Sequence, residues 1–391
     1  MNSLAPSLAR VSCAALVLTS LLSACSAPPR AGDGDPPRDI EADHLVPSNP
    51  ENLSWGWYPL DKQPVLTVES GETVRIETLT HAGTTQSEEP VAYLTAFGVP
   101  REEILPDVVD FWRSREGRER EGRSGHVITG PIYVEGAEPG DVLEVQILEL
   151  EVRVPWGINN TGPASGVFGN AYPGARPGDP PLDIAPGTRH LIRTGETEGQ
   201  AVAFFSAGIQ VPLAPFMGIL AVAPAGPVVG EPGVTVPGVQ ASRPPGPFGG
   251  NLDVKDLVAG TRLFLPVFHP GALFYTGDPH SAQGDGEVSG TAIEQSLTGV
   301  FRFVLHKGES IQGPRAESDT HYLLMGIDLD LDRAMRNATR AVVEFLVDEK
   351  DLTPAEALSL ASIAVDFHVA EVVDLTQVVV GHIPKSLFLT P

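Results

Sequence analysis

The sequence is short of cysteine, of positive charge and of long apolar runs, and each shortage closes a route. Two cysteines in 391 residues cannot build a disulfide scaffold. Lysine and arginine number 26 against 50 acidic residues, a net charge of −24, which argues against nucleic acid as a partner because phosphate binding needs a basic footprint. Beyond the N-terminal segment no apolar run is long enough to span a bilayer. Familiar catalytic signatures are missing too. There is no G-x-S-x-G elbow, no H-E-x-x-H, no P-loop, and no G-x-G-x-x-G opening a helix after a strand. What is present is a 42% hydrophobic chain, too apolar for disorder, with 41 glycines and 37 prolines punctuating short β-rich runs.

The N-terminus reads as a targeting segment. Arg10 precedes the apolar "VSCAALVLTSLLSAC", whose Leu22-Ser23-Ala24-Cys25 ending resembles a bacterial lipobox. That resemblance implies cleavage before Cys25 and lipid on its sulfur, so residues 1–24 are expected to be a signal peptide. A flexible tether is expected over 25–45, with an anchor in the cell envelope, in the outer membrane or periplasm of a Gram-negative host. Cys13 leaves with the signal and Cys25 carries lipid, so a thiol nucleophile is excluded.

Along the mature chain, Gly71 is expected to turn a hairpin, Pro139-Gly140-Asp141 to precede a long alternating strand, and Pro270-Gly271 to return one strand beside another. Residues 102–121 read as a short amphipathic helix decaying into a charged segment, and the Gly-, Pro- and Asn-rich 155–190 as a long excursion. Two helices close the chain. "LDRAMRNATRAVVEFLVDE" places Leu331, Ala334, Met335, Ala338, Val342, Phe345 and Leu346 on one face. "TPAEALSLASIAVDFHV" opens with Thr353 as N-cap, Pro354 at the first helical position and Glu356 completing a capping box.

Chemistry concentrates in "GDPHSAQGDGE" (277–287) and "PFGGNLDVKD" (247–256). Asp278 and His280 stand two apart, as do Asn251 and Asp253, so in extended backbone each pair shares a face. Gly284 and Gly286 permit a tight turn that returns Glu287 towards His280. A histidine with two or three carboxylates suits zinc or a similar divalent ion with one position left for water, and a remaining carboxylate suits a general base. The competing reading of Asp285 is a plain turn residue between glycines; Asp141 and His269 read as turn or hydrogen-bonding residues.

These segments also carry a resemblance. "TGPIYVEGAEPGDVLEV", "PFMGILAVAPAG", "GGNLDVKDL" and "LPVFHPGALFYTGDPHSAQGDGEVSGTAIE" occur in the order found in the acetamidase/formamidase family, over roughly Trp55 to Pro384, and "SLASIAVDFHVAEVVD" resembles its longer members. "HAGTTQSEEPVAYLTAFGVPREEI" and "PWGINNTGPASGVFGN" resemble a secreted branch of it. The resemblance implies a mainly β fold with jelly-roll-like and barrel-like sheets over 46–300, and an α+β portion over 301–391 completing the same catalytic unit. It implies hydrolysis of short amides to ammonia and a carboxylate, and the spacing of the residues adds a divalent metal, zinc by preference, on Asp253, Asp278 and His280. Glu287, Asp285 and His126 are then the catalytic candidates and Asn251 a substrate-binding one. A small amide is the expected partner, the membrane is met only through the N-terminal lipid, and a homo-oligomer is compatible. The alternatives are a non-catalytic lipoprotein binding a small ligand or sugar, or a hydrolase of other C–N bonds: carbamates, cyclic or larger amides.

Overall fold

The computed structural model describes residues 40–115, 124–169, 172, 176, 178, 180–226 and 240–389. Cys13, Cys25 and the charged segment 116–123 therefore lie outside the described residues. The chain from Ile40 onward is one compact unit.

Two large sheets carry it. The nine-stranded sheet runs from edge to edge as β1 (His44–Val46), β4 (Thr73–Glu77), β15 (Leu297–His306), β6 (Val142–Val152), β13 (Arg262–Pro266), β16 (Arg315–Glu317), β17 (His321–Asp328), β19 (Thr376–Pro384) and β18 (Asp366–Asp374). The six-stranded sheet runs β12 (Gly249–Asn251), β11 (Phe216–Ala221), β14 (Phe274–His280), β5 (Val127–Val134) and β2 (Leu53–Trp55), with β3 (Leu66–Val68) also on β5. A smaller sheet, β10 (Ile209–Pro212), β9 (Gln200–Ser206), β8 (Thr188–Thr197) and β7 (Trp156–Thr161), starts inside the expected excursion and runs on past its end at residue 190.

The core is the seam where the two large sheets face each other. In β6 the alternation of "VLEVQILELEV" turns Leu143, Val145 and Ile147 inward. They join Phe301 and Phe303 of β15 and Ile219 and Phe274 of the facing sheet in one buried cluster. Phe274 crosses the seam, its ring 5.0 Å from that of Phe303. Burying one such ring contributes about 1.5–3 kcal/mol, so the seam dominates the hydrophobic stabilisation.

Two turn readings need correction for the same physical reason. Gly71 takes φ +102° as a turn should, but β3 before it pairs with β5 while β4 after it pairs with β1 and β15. The chain there steps between sheets and forms no hairpin. Pro270-Gly271 likewise hands the chain from β13 in one sheet to β14 in the other. Pro139-Gly140-Asp141 stands as read, a turn leading into the long alternating strand β6. Backbone preferences place a turn correctly but do not name the strand that receives the next ladder of hydrogen bonds.

The helices follow local chemistry closely. After α1 (Pro90–Ala96) comes α2 (Pro106–Ser114), shorter than the stretch expected. α3 (Leu331–Lys350) buries Ala334, Ala338, Val342, Phe345 and Leu346, whereas Met335 is exposed. An added Cβ at Gly326 would sit 2.1 Å from the Ala338 backbone nitrogen, so β17 and α3 pack backbone against backbone. α4 (Pro354–Ala364) begins at the Thr353–Glu356 capping box, Thr353 N donating to Glu356 Oε2 at 3.0 Å. The nine-stranded sheet is continuous across residue 300, so the mainly β part and the α+β part share one architecture.

Candidate active site

β14 lies inside the six-stranded sheet, hydrogen-bonded to β11 and β5, and every residue of it is buried. At its end Asp278 and His280 enter a polar pocket. His280 is 0% exposed and its ring meets Phe216 edge-on at 5.1 Å. Its Nε2 lies 3.3 Å from both Asp278 Oδ2 and Glu294 Oε1, and its Nδ1 lies 3.5 Å from Asp253 Oδ1. These are ion-pair distances, yet neither ring nitrogen is aligned for a hydrogen bond, and Asp253 Oδ1 has no hydrogen-bond partner either. Such buried polar atoms cost about 1–3 kcal/mol each when nothing satisfies them.

The other groups arrive from separate elements. Asn251 ends β12, and its Nδ2 donates to Asp253 Oδ2 at 2.6 Å and to Asp374 Oδ2, on β18, at 2.7 Å. Asp374 also faces Arg243 Nε at 3.2 Å. His81, in the turn after β4, places Nδ1 3.4 Å from Asp278 Oδ1 and from Glu294 Oε2. His126, just before β5, brings Nε2 within 3.7 Å of Asp278 Oδ2 while its Nδ1 meets Ser242 Oγ at 3.3 Å. Glu294 is held by backbone pairing to Ile158 and His280. Glu371, on β18, accepts from Val373 N and Asp374 N through Oε2.

The backbone is bent to this purpose. Asp253, Asp278 and Glu287 adopt φ of +46°, +48° and +44°, a left-handed region in which non-glycine residues are uncommon. Asp278 and His280 therefore do meet, but not by the alternation of an extended strand. Gly218 on β11 completes the cradle: a Cβ there would lie 2.4 Å from Asp253 Oδ1 and 3.0 Å from His280 Cε1.

Electrostatics reflect a surplus of carboxylates in a buried space. Burial, then the charge of Glu287, pushes Asp253 well above the usual carboxylate range. Burial, then Asp374, does the same to Glu287, and burial with Asp374 to Glu371. Burial would also raise Asp278, but His126 and His280 outweigh it and hold this carboxyl well below its ordinary value. For His280 burial opposes the charge, and Glu294 and Asp278 overcome it, leaving the imidazole well above its usual pKa. His81 is raised by Glu294 and Asp278 against the same burial. His126 is lowered, chiefly by burial.

A divalent cation fits these residues. Four overlapping triads each bring one ligand atom per residue within 4.8 Å of the others: His81–His126–Asp278, Asp253–Asp278–His280, His280–Glu287–Glu294 and Asp253–Glu287–Asp374. The unpaired Asp253 Oδ1 and His280 nitrogens point into this space, and the mixed nitrogen and carboxylate donors suit zinc.

Of the residues singled out in the sequence, Asp253, Asp278, His280 and Glu287 converge here, with His126 on their margin and Asn251 bridging two carboxylates. Asp285 departs from the expectation. Its carboxylate turns to Lys255 Nζ at 2.8 Å and His368 Nδ1 at 3.7 Å, and it belongs to none of the four triads. Asp141 and His269 are turn residues as read, Asp141 Oδ2 accepting from Glu138 N and His269 Nε2 meeting the Pro224 carbonyl. Sequence reasoning missed His81, Glu294, Glu371 and Asp374. A signal existed for three of them: Glu294 in "TAIEQSL" and Glu371 and Asp374 in "VAEVVDL" are charges inside otherwise uncharged apolar runs, which a packed strand tolerates only when they are paired.

The fold and site together define a β-sandwich that closes over a buried histidine–carboxylate centre. The model of the Acetamidase/Formamidase family matches residues 118–232 and 234–390, and the chain belongs to that family. It is 33% identical over 211 residues to an acetamidase of Mycolicibacterium smegmatis, covering 42% of this chain and 49% of that one. It spans between 47% and 60% of the length of the curated relatives it matches. Among solved structures, the acetamidase of Bacillus halodurans superposes with a TM-score of 0.67 at 27% identity, covering 88% of this chain and 98% of that one. The acetamidase of Yersinia enterocolitica gives 0.67 at 25% identity, covering 88% and 93%.

Proposed function

We propose that this protein hydrolyses the C–N bond of short linear amides of the formamide and acetamide type, releasing ammonia and a carboxylate. The observation that carries the reading is the burial of Asp253, Asp278, His280, Glu287 and Glu294 around one small space, at residues within the family match. Relatives named acetamidase and formamidase supply the substrate class.

Asp253, Asp278 and His280 would hold the cation, which when bound supplies the Lewis acidity that activates water and the amide carbonyl. The chain's own groups handle the proton. Glu287, lifted above the usual carboxylate range by burial and by Asp374, is the carboxyl placed to accept and return a proton. Water loses a proton to Glu287 as its oxygen bonds to the amide carbon. Glu287 then passes the proton to the amide nitrogen as the C–N bond breaks, and ammonia leaves. Asn251 keeps Asp253 and Asp374 in register by donating to both. His126, lowered chiefly by burial, stands beside Asp278 with Nε2 3.7 Å from Oδ2.

The test is ammonia release from formamide, acetamide, a carbamate and a lactam, before and after chelation. Chelator-sensitive release from the short amides supports the proposal. Release only from the lactam or carbamate would move the substrate class, and no release from any would favour a binding lipoprotein.

A further inference from the structure

A second set of titratable side chains lies outside the active site, and it takes in the residue the mechanism left unused, Asp285. At one end of the nine-stranded sheet, Leu323 pairs with His382, His382 with Asp366, and His368 with Val380. Cross-strand partners share a face, and residues two apart on a strand do too. His321, His382 and His368, on three adjacent strands, therefore project from the same face. The opposite face is taken by α3, where a Cβ on Gly381 would lie 2.6 Å from Val342 Cγ2.

The three rings are neighbours. The His368 and His382 ring centres are 4.2 Å apart, and those of His321 and His382 are 6.2 Å apart. Imidazoles sharing one ion at bond lengths of about 2 Å have ring centres roughly 4–6 Å apart. His382 has the orientation expected of a ligand. Its Nδ1 lies 3.2 Å from the Val380 carbonyl, and donation there leaves the Nε2 lone pair facing Asp256 Oδ2 at 3.1 Å. Two acceptors facing each other call for a proton or a cation between them. His368 Nδ1 stands 3.7 Å from Asp285 Oδ2, adding a second carboxylate. His321, His382 and Asp256 line a cavity of about 450 Å³ with Lys255, Gln283 and Thr320, which leaves room for solvent ligands. Gln283 separates this cavity from the active site, its Nε2 donating to the Asp253 carbonyl at 2.8 Å.

We propose that His321, His368 and His382, with Asp256, form a second site for a nitrogen-preferring divalent cation of the zinc, nickel or copper class, distinct from the buried centre. Closing on one ion takes a rotation of His368, whose side chain is 44% exposed, and of His321. Asp285 then serves as an outer carboxylate, oriented by Lys255. Three imidazoles select against calcium and magnesium, which take oxygen ligands.

The experiment uses the full chain, stripped of metal, reloaded with Zn²⁺ alone and passed through a desalting column, with zinc per chain counted by mass spectrometry. Wild type is expected to retain one zinc more than His368→Gln and His382→Gln, and the zinc those variants lack should bind at least about tenfold more weakly in a titration. His280→Ala should keep that zinc, which separates this proposal from any failure of the active-site reading. Because His382 is largely buried, thermal melting is recorded beside the count, and His368→Gln, on an exposed side chain, decides if His382→Gln does not fold. Equal zinc content and equal affinity in wild type and a folded His368→Gln would overturn the proposal.

Discussion

Gly218 and Asp253 are so close that a Cβ on the glycine would lie 2.4 Å from the carboxylate Oδ1. The glycine needs no unusual φ; it is there for space alone. It lies on β11 beside β14, and its missing side chain is part of the volume into which Asp253 and His280 project.

Gly218→Ala should therefore act on the site more than on the fold. Overpacking of this kind destabilises by about 1–3 kcal/mol, and the displaced Asp253 should reduce bound metal and ammonia release together. Gly284→Ala is the control, since no atom lies within 4 Å of its added Cβ and its φ is ordinary. It should stay within about 0.5 kcal/mol of wild type. Urea denaturation and metal content of both variants measure this, and a Gly218→Ala protein with wild-type metal content would show that the cradle does not matter.

Acid sensitivity should be traceable to one ion pair near the His81 turn. Arg153 Nη2 meets Asp107 Oδ2 at 2.7 Å while its Nη1 donates to the Thr78 carbonyl, tying α2 to the end of β4. Burial would raise Asp107, but Ser48 and Arg153 outweigh it and the pKa lies below 3.8. A depressed folded pKa stabilises above the unfolded value and loses that contribution as pH falls through the folded one. Asp107→Asn should then be about 1–3 kcal/mol less stable than wild type at pH 7 and pH 5, with the gap narrowing below pH 3.8. Denaturation midpoints across that range check it; a gap that persists undiminished at the lowest pH would assign the effect to packing.

Location is tested at the N-terminus. We propose that Cys25 carries the lipid that anchors the chain in the cell envelope, on the strength of Leu22-Ser23-Ala24-Cys25. Cys25→Ser should release the protein to the soluble fraction or arrest its processing. Normal maturation with unchanged membrane association in that variant would rule the anchor out.

How much of this was legible in the sequence depended on how local the cause was. The α4 start was, because Thr353, Pro354 and Glu356 settle it among themselves. Asp278, His280 and Glu287 were, because glycines and ionisable groups crowd into eleven residues. Asp285 and Glu287 flank Gly286 symmetrically in sequence, and only the observed angles, +92° at Gly286 and +44° at Glu287, send one carboxylate inward and leave the other facing Lys255. His81 and Asp374 lie about two hundred and one hundred residues from Asp278 in the chain. They reach the site because β4 and β18 belong to a sheet whose strand order no local pattern encodes.

The final prediction separates holding the cation from moving the proton. His280 contributes a nitrogen to two of the four triads and is wholly buried, so His280→Ala should lower metal occupancy and ammonia release together. Glu287→Gln keeps the side chain's size but cannot accept a proton, and should keep most of the metal while turnover falls about 10²–10⁴-fold. Asp285→Asn alters a carboxylate paired with Lys255 outside the cluster and should leave ammonia release near wild type. Metal content by mass spectrometry, set beside the rate of ammonia release for the three variants, decides among the roles. Metal loss in Glu287→Gln would make Glu287 a ligand, as its place in the His280–Glu287–Glu294 triad allows, and would transfer the base to Glu294 or His126. Full metal and near-normal rates in both His280→Ala and Glu287→Gln would remove catalysis from this pocket, since all four triads are built from these carboxylates and imidazoles.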